Sequence, residues 1–378
     1  MQEKRAGISA NLLRVFATLF VFLLHGRCYL ADPKKLPPVL QWLTCLPAWA
    51  GVWIFLFLSG YGIGYGFFSG RYSLRENGKL SARKFGGFYL ARFLKVAPLY
   101  YLYCVFYEIL SGTGYFWHNP KQLLRMLTFT FNGNAAAGGV GHLWYISIAM
   151  QLYLLMPFLY LALAPLQKKK RGLSGTLLAV LALGCAVRCL IVRLGFDWYT
   201  YSYTNCFVNL DLVAIGMLIA ALKLGFDITP GHPERWKALA AVLFAGLVLY
   251  NCFIYNRATT HDTFLYRCIL PSAYAAICGL LLLLSGRGAT IRPRPLVTAI
   301  NRFAGYSYSF YILHVASLDY LKPLLLQSSP VADLSPALQY AIFIPAAFLL
   351  TLLTAVPFQW IGKEILSRYK NRKKKEAC

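Results

Sequence analysis

Apolar runs of about twenty residues recur along this chain, and that repetition limits the fold more than any other feature. At 1.5 Å per residue, a helix of about twenty residues matches a hydrocarbon core of about 30 Å. Lipid offers no hydrogen bonds to exposed peptide groups, so segments of this kind cross it as helices. About ten spans can be read, at about 9–30, 46–69, 88–111, 142–163, 174–193, 205–222, 236–254, 264–285, 297–321 and 337–361. The expected fold is all-α, a polytopic integral membrane bundle of about ten transmembrane helices. It forms a single domain over 1–378, with a membrane core at about 8–361 and a basic cytoplasmic tail at 362–378.

Charge then gives the bundle a direction. The formal net charge of +25 would suit nucleic acid, but only 13% of the residues are charged and the basic ones sit in short loops between apolar runs. There they act as topology signals, and no nucleic-acid partner is expected. With an even number of spans, one side collects Lys4, Arg5, the loop 70–87, Lys168 to Arg171, Lys223, Arg235, Lys237, Arg287, Arg292, Arg294 and the C-terminal lysines and arginines. The other side carries Lys34, Lys35, Lys121, Arg193, Arg257 and Lys322. The positive-inside rule places both termini in the cytoplasm. The first apolar run is too long for a signal-peptide core and lacks a small-x-small site, so it is expected to remain as the first helix.

Ten cysteines include no CxxC pair and mostly fall in apolar runs, where they read as small buried hydrophobes. No disulfide is expected, Cys28–Cys45 outside the membrane being the one pairing weighed. The six histidines include no i, i+4 pair, and no metal is expected. The segment 112–141 contains a run, Leu123 to Phe131, too short to span, which suits a re-entrant or surface position.

Inside the spans stand ionisable residues that cost several kcal/mol at membrane depth unless they are paired or wet. They are Arg14, His25, Arg92, Lys95, Glu108, Arg188, Asp211 and His314. Arg188 and Asp211 suit a structural pair between neighbouring helices. Arg14 and His25 are eleven positions apart, which at about 100° per residue is three turns plus roughly 20°. They share one helix face, about 16 Å apart along the axis, with Thr18 on the same stripe. The orientation sets Arg14 toward the cytoplasm and His25 toward the outer half.

Several blocks carry a resemblance to a known family. Arg14 and His25 reproduce the R-x10-H signature of the membrane acyltransferase 3 family, bacterial polytopic O-acyltransferases that modify surface polysaccharides and peptidoglycan. Trp53 to Tyr61 (WIFLFLSGY) resembles that family's FFxLSGF block, and Phe88 to Tyr100 (FYLARFLKVAPLY) its F-x3-R-x2-R-x2-P-x-Y block. His142 to Ile146 with Tyr153 and Pro157 is similar to HLWFL…YLLxP, and Tyr306 to His314 to SYSxYLLH. Two positions depart from the pattern. Lys95 replaces an arginine, keeping the charge but losing the planar fork. The glutamate expected shortly after HLWFL is absent, with Ala149, Met150 and Gln151 in that region.

The resemblance implies transfer of an acyl group, acetyl above all, from cytoplasmic acyl-CoA to a hydroxyl of a cell-envelope glycan or lipid-linked sugar. It implies a multi-pass protein of the bacterial cytoplasmic membrane with no permanently bound cofactor. Such transfer needs a base, a grip on the donor and a place for the acceptor. His25 is the expected base, with Arg14 beside it in the catalytic set. Arg92, Lys95, Arg71, Arg75, Arg83 and Lys84 form a basic collar for the donor's phosphates. His142, Trp144, His314 and Ser59 are candidates for the acceptor side. The glycines near Ser59 suit close helix packing or a local break. A transporter or flippase of the same size is the rival expectation, though no internal repeat supports one.

Overall fold

The computed structural model describes residues 7–29, 35–44, 48–112, 114–132, 135–228, 232–256, 264–285, 294–328 and 330–375. Lys4, Arg5, Lys34, Cys45, Arg257, Arg287, Arg292 and Cys378, which entered the charge and cysteine readings, lie outside them. A helix stands at every expected span. In chain order they are α1 (Gly7–Arg27), α2 (Pro38–Thr44), α3 (Ala48–Phe68), α4 (Ala82–Ser111), α5 (Pro120–Leu127) and α6 (Trp144–Leu163). There follow α7 (Lys170–Arg193), α8 (Leu210–Gly225), α9 (Pro233–Asn256), α10 (Leu270–Leu284), α11 (Arg294–Leu326) and α12 (Pro336–Lys375).

Among the described residues, eight segments are long and apolar enough to cross a membrane. The two expected spans outside that set have physical reasons. At 16 residues α8 is only about 24 Å long, and α11, though 33 residues long, is diluted by polar side chains, Tyr306, Ser307, Ser309, His314 and Asp319 among them. The basic tail begins as a continuation of α12, which runs as helix through Lys375.

The chain divides into two compact units built from interleaved segments. The first comprises residues 1–24, 37–73 and 155–305. At its centre α8 buries every residue from Leu212 to Leu222. Glycines make that burial possible. A Cβ on Gly60 of α3 would collide with the Val213 carbonyl, and one on Gly216 with the Phe57 carbonyl. The two backbones touch with no side chain between them, the small-residue packing suited to membrane helices. By contrast α7 presents Leu178, Leu183 and Leu190 outward, the pattern of a lipid-facing helix.

The second unit comprises residues 25–36, 74–154 and 306–378. A two-stranded hairpin, β1 (Arg75–Glu76) and β2 (Lys79–Leu80), leads into α4. Its turn uses left-handed Asn77 and Gly78. Midway along α4, Pro98 removes a backbone donor, and in that disturbed turn the Val96 carbonyl accepts a hydrogen bond from the Tyr308 hydroxyl at 2.7 Å. After α5, a 3₁₀ segment over Ala135–Leu143 feeds straight into α6. The segment 112–141 thus holds a short helix and a tight turn.

Candidate functional site

The second unit brings together three histidines from three distant segments. His25 closes α1, His142 ends the 3₁₀ segment, and His314 lies in the middle of α11. His25 Nδ1 and His314 Nε2 are 2.7 Å apart. Their ring centroids are 5.0 Å apart and the planes lie 10° from parallel. At that hydrogen-bond length the rings meet end to end in one plane, the geometry of a straight N–H···N bond. His314 is buried, at 1% exposure, whereas His25 is only half-buried.

The protons of this pair follow from its partners. His314 Nδ1 lies 2.6 Å from the Tyr311 carbonyl oxygen, which can only accept. Nδ1 therefore carries the proton and, in the neutral ring, Nε2 is the bare acceptor. His25 must then donate from Nδ1, which leaves its own Nε2 without a proton. No hydrogen bond reaches His25 Nε2 from the described residues. A neutral imidazole with a fixed tautomer and one open lone pair has the chemistry to accept a proton.

His142 fixes the neighbouring stretch of α11. Its Nε2–H donates to the Ile312 carbonyl at 3.0 Å, and its own carbonyl accepts from the Tyr311 hydroxyl at 2.6 Å. Its ring stands edge-on to His314, with centroids 5.0 Å apart and planes at 77°. Trp144, two residues on, is buried. Of the acceptor-side candidates, His142 and His314 thus gather at His25. Ser59 lies in the first unit beside the Gly60 contact.

The other sequence candidates take varied positions. In the first unit, Arg14 Nη1 donates to Asn11 Oδ1 at 2.8 Å, and Asn11 Nδ2 to Asn301 Oδ1 at 2.9 Å. Thr18 turns its hydroxyl back to the Arg14 carbonyl. Arg188 grips Asp211 with both terminal nitrogens at 2.8 and 2.7 Å, and Ser272 joins them, so this pair is the structural link expected of it. Arg71 is exposed in the same unit. In the second unit, Arg75 donates to the Gly78 carbonyl and Arg83 stands 3.9 Å from Glu76, both within the hairpin region. Lys84 and Lys95 are exposed, and the Arg92 guanidinium lies over the Phe88 ring.

Neither Glu108 nor Asp211 serves the histidines. Glu108 accepts the Phe116 backbone N–H at 3.1 Å, and Asp211 belongs to Arg188. Gln151, in the region of the absent family glutamate, donates to the carbonyl of left-handed Phe129 at 2.7 Å and so holds the loop after α5. The carboxylate that does share elements with the histidines is Asp319, one more ionisable residue of the ninth span. It could have been found by the same depth argument that picked out His314, since both lie in one apolar helix.

The spans define a multi-pass membrane protein, and the imidazole pair lies within its second unit. Residues 8–356 match the family model described as an acyltransferase domain, and the chain belongs to the acyltransferase 3 family. It is therefore an acyltransferase of membrane type. Searches of the curated proteins and of the solved structures return no significant match.

Proposed function

We propose that this protein transfers an acyl group, acetyl above all, from acyl-CoA to a hydroxyl of an envelope glycan or lipid-linked sugar in the bacterial cytoplasmic membrane. The observation that carries the reading is the His25–His314–Tyr311 chain, which leaves His25 Nε2 bare. That nitrogen takes the proton from the acceptor hydroxyl as its oxygen attacks the thioester carbonyl. The resulting imidazolium keeps its Nδ1–H bond to His314, whose neutral Nε2 stabilises the new charge. As the tetrahedral intermediate collapses, the C–S bond breaks and Nε2 returns the proton to the leaving thiolate, so His25 ends as it began.

The donor's phosphates are assigned to the basic residues Arg71, Arg75, Arg83, Lys84, Arg92 and Lys95, with Arg14 also serving the donor. Charge supports this assignment, as does the cytoplasmic side expected for those loops. Membranes carrying the protein, given labelled acetyl-CoA, should place label in a glycan or lipid-linked sugar fraction. His25→Ala membranes should not. Label that survives the substitution would remove His25 as the base, and no labelling with any acyl-CoA would turn the reading toward transport.

A further inference from the structure

Beyond the histidines, the same three segments are tied a second time. Tyr29 follows His25 by four residues, Gly139 precedes His142 by three, and Asp319 follows His314 by five. The Tyr29 hydroxyl donates to Asp319 Oδ1 at 2.7 Å and the Tyr107 hydroxyl to Oδ2 at 3.1 Å. Tyr107 in turn accepts the Gly139 N–H at 2.8 Å, while the Tyr103 hydroxyl donates to the Gly139 carbonyl at 2.7 Å. The Tyr103 ring stands edge-on to His142, with centroids 5.8 Å apart. Lys322 rests over the Tyr29 ring at 5.9 Å. Gly139 is required here, because a Cβ would lie 2.6 Å from Asp319 Oδ2 and would collide with the Tyr107 ring.

We infer that Asp319 is a positioning residue for the His25–His314 pair, acting through Tyr29 and Tyr107. Locally, the His25–His314 bond leaves the two rings free to rotate about it, since the Asn11–Asn301 bond between the same helices lies 14 residues from His25, about 21 Å along α1. Two bonds about one helical turn apart fix both separation and rotation. The Asp319 layer supplies the second fixed point and ties the His142 turn to it through Tyr107 and Gly139. Its effect on His25 is geometric: it holds Nδ1 in line with His314 Nε2, and so keeps the proton off Nε2. This inference rests on the acyl-transfer reading for its kinetic consequence, but its structural consequence stands apart.

The test uses the full chain in detergent or nanodiscs, with Asp319→Asn, Asp319→Glu, Tyr29→Phe and Tyr107→Phe. Misplacement of the base by about 1 Å predicts a fall of about 10²-fold in kcat for acetyl transfer in Asp319→Asn, with KM for acetyl-CoA unchanged. Asp319→Glu should recover part of it, and each phenylalanine variant, which keeps the carboxylate, should lose less. Diethyl pyrocarbonate, which attacks bare imidazole nitrogens, gives a readout that needs no turnover. In the wild type His25 should react while His314, with both nitrogens engaged, is protected. Relative to the exposed His118, His314 labelling should rise about tenfold in Asp319→Asn, as expected for loss of one ordinary hydrogen bond. An unchanged His314 to His118 ratio, or a lowered thermal midpoint with unchanged kcat, would overturn the inference. If the wild type transfers no acetyl at all, the acyl-transfer reading falls, and the labelling ratio alone decides the role of Asp319.

Discussion

In each unit a polar pair joins two helices, and the two pairs are finished differently. In the first unit, Arg188 and Asp211 form a two-pronged ion pair with Ser272 bonded to both partners. In the second, His25 and His314 share one bond, and a nitrogen of His25 is left open. A buried charge must be satisfied on every side or it costs several kcal/mol, so the ion pair has nothing left to offer a substrate. A neutral imidazole costs far less to leave half-used. The saturated pair reads as a strut and the unsaturated one as a reagent, although each was found in the sequence by the same test of ionisable residues at membrane depth.

That contrast can be broken most severely at the strut. Arg188→Ala strands the Asp211 carboxylate and should lose about 3–5 kcal/mol of stability, read as a large drop in thermal midpoint and folded yield. Arg188→Met combined with Asp211→Leu should recover most of the loss, and a double variant no better than the single would show that the charges themselves stabilise the unit. At the reagent the expectation reverses. His25→Ala should lower acetyl transfer by about 10²–10⁴-fold while the thermal midpoint stays close to wild type; an equal loss of stability would make this pair a second strut. His314→Ala leaves His25 free to choose its tautomer and to turn, for a smaller fall of about 10–10²-fold in kcat.

The smallest effect lies in the loop between α7 and α8. The Thr200 backbone N–H donates to Asp197 Oδ2 at 2.7 Å and holds that carboxyl below its usual range. A carboxylate with a depressed folded pKa stabilises above its unfolded value, about 3.9, and loses that contribution as pH falls through the folded value. The difference in thermal midpoint between wild type and Asp197→Ala should therefore be slight near neutrality and vanish in acid. A difference that grew on acidification would reverse the sign of the assignment.

Most of the helices were legible because each is written locally: twenty apolar residues need no partner to announce a span. The Gly60 contact was legible for a similar reason, since small residues side by side mark close approach. The His25–His314 bond was not, for its partners are 289 residues apart and nothing in either segment names the other. His314 was read as an acceptor-side residue because depth alone gives no contact. Asp319 was passed over although it lies in the same span, because its meaning comes from Tyr29, Tyr107 and Gly139, none of which stands out in an aromatic-rich chain. The start of α8 was set early by composition, since residues 205–209 belong to the turn that leads into the helix and not to the helix.

The link between α7 and α8 also bears on how the chain enters a bilayer during synthesis. Left unpaired, Arg188 near the end of α7 and Asp211 in the first turn of α8 each carry an insertion penalty, bounded by the value of about 2.5–3.5 kcal/mol for a charge at a helix centre. Only 23 residues separate them, so both are present in the nascent chain before either helix need commit to lipid. The hairpin of α7 and α8, its charges already neutralising each other, is the smallest piece that can leave the translocation channel cheaply. The shorter arm then packs on α3, already made, and waits for α10 to complete its cover.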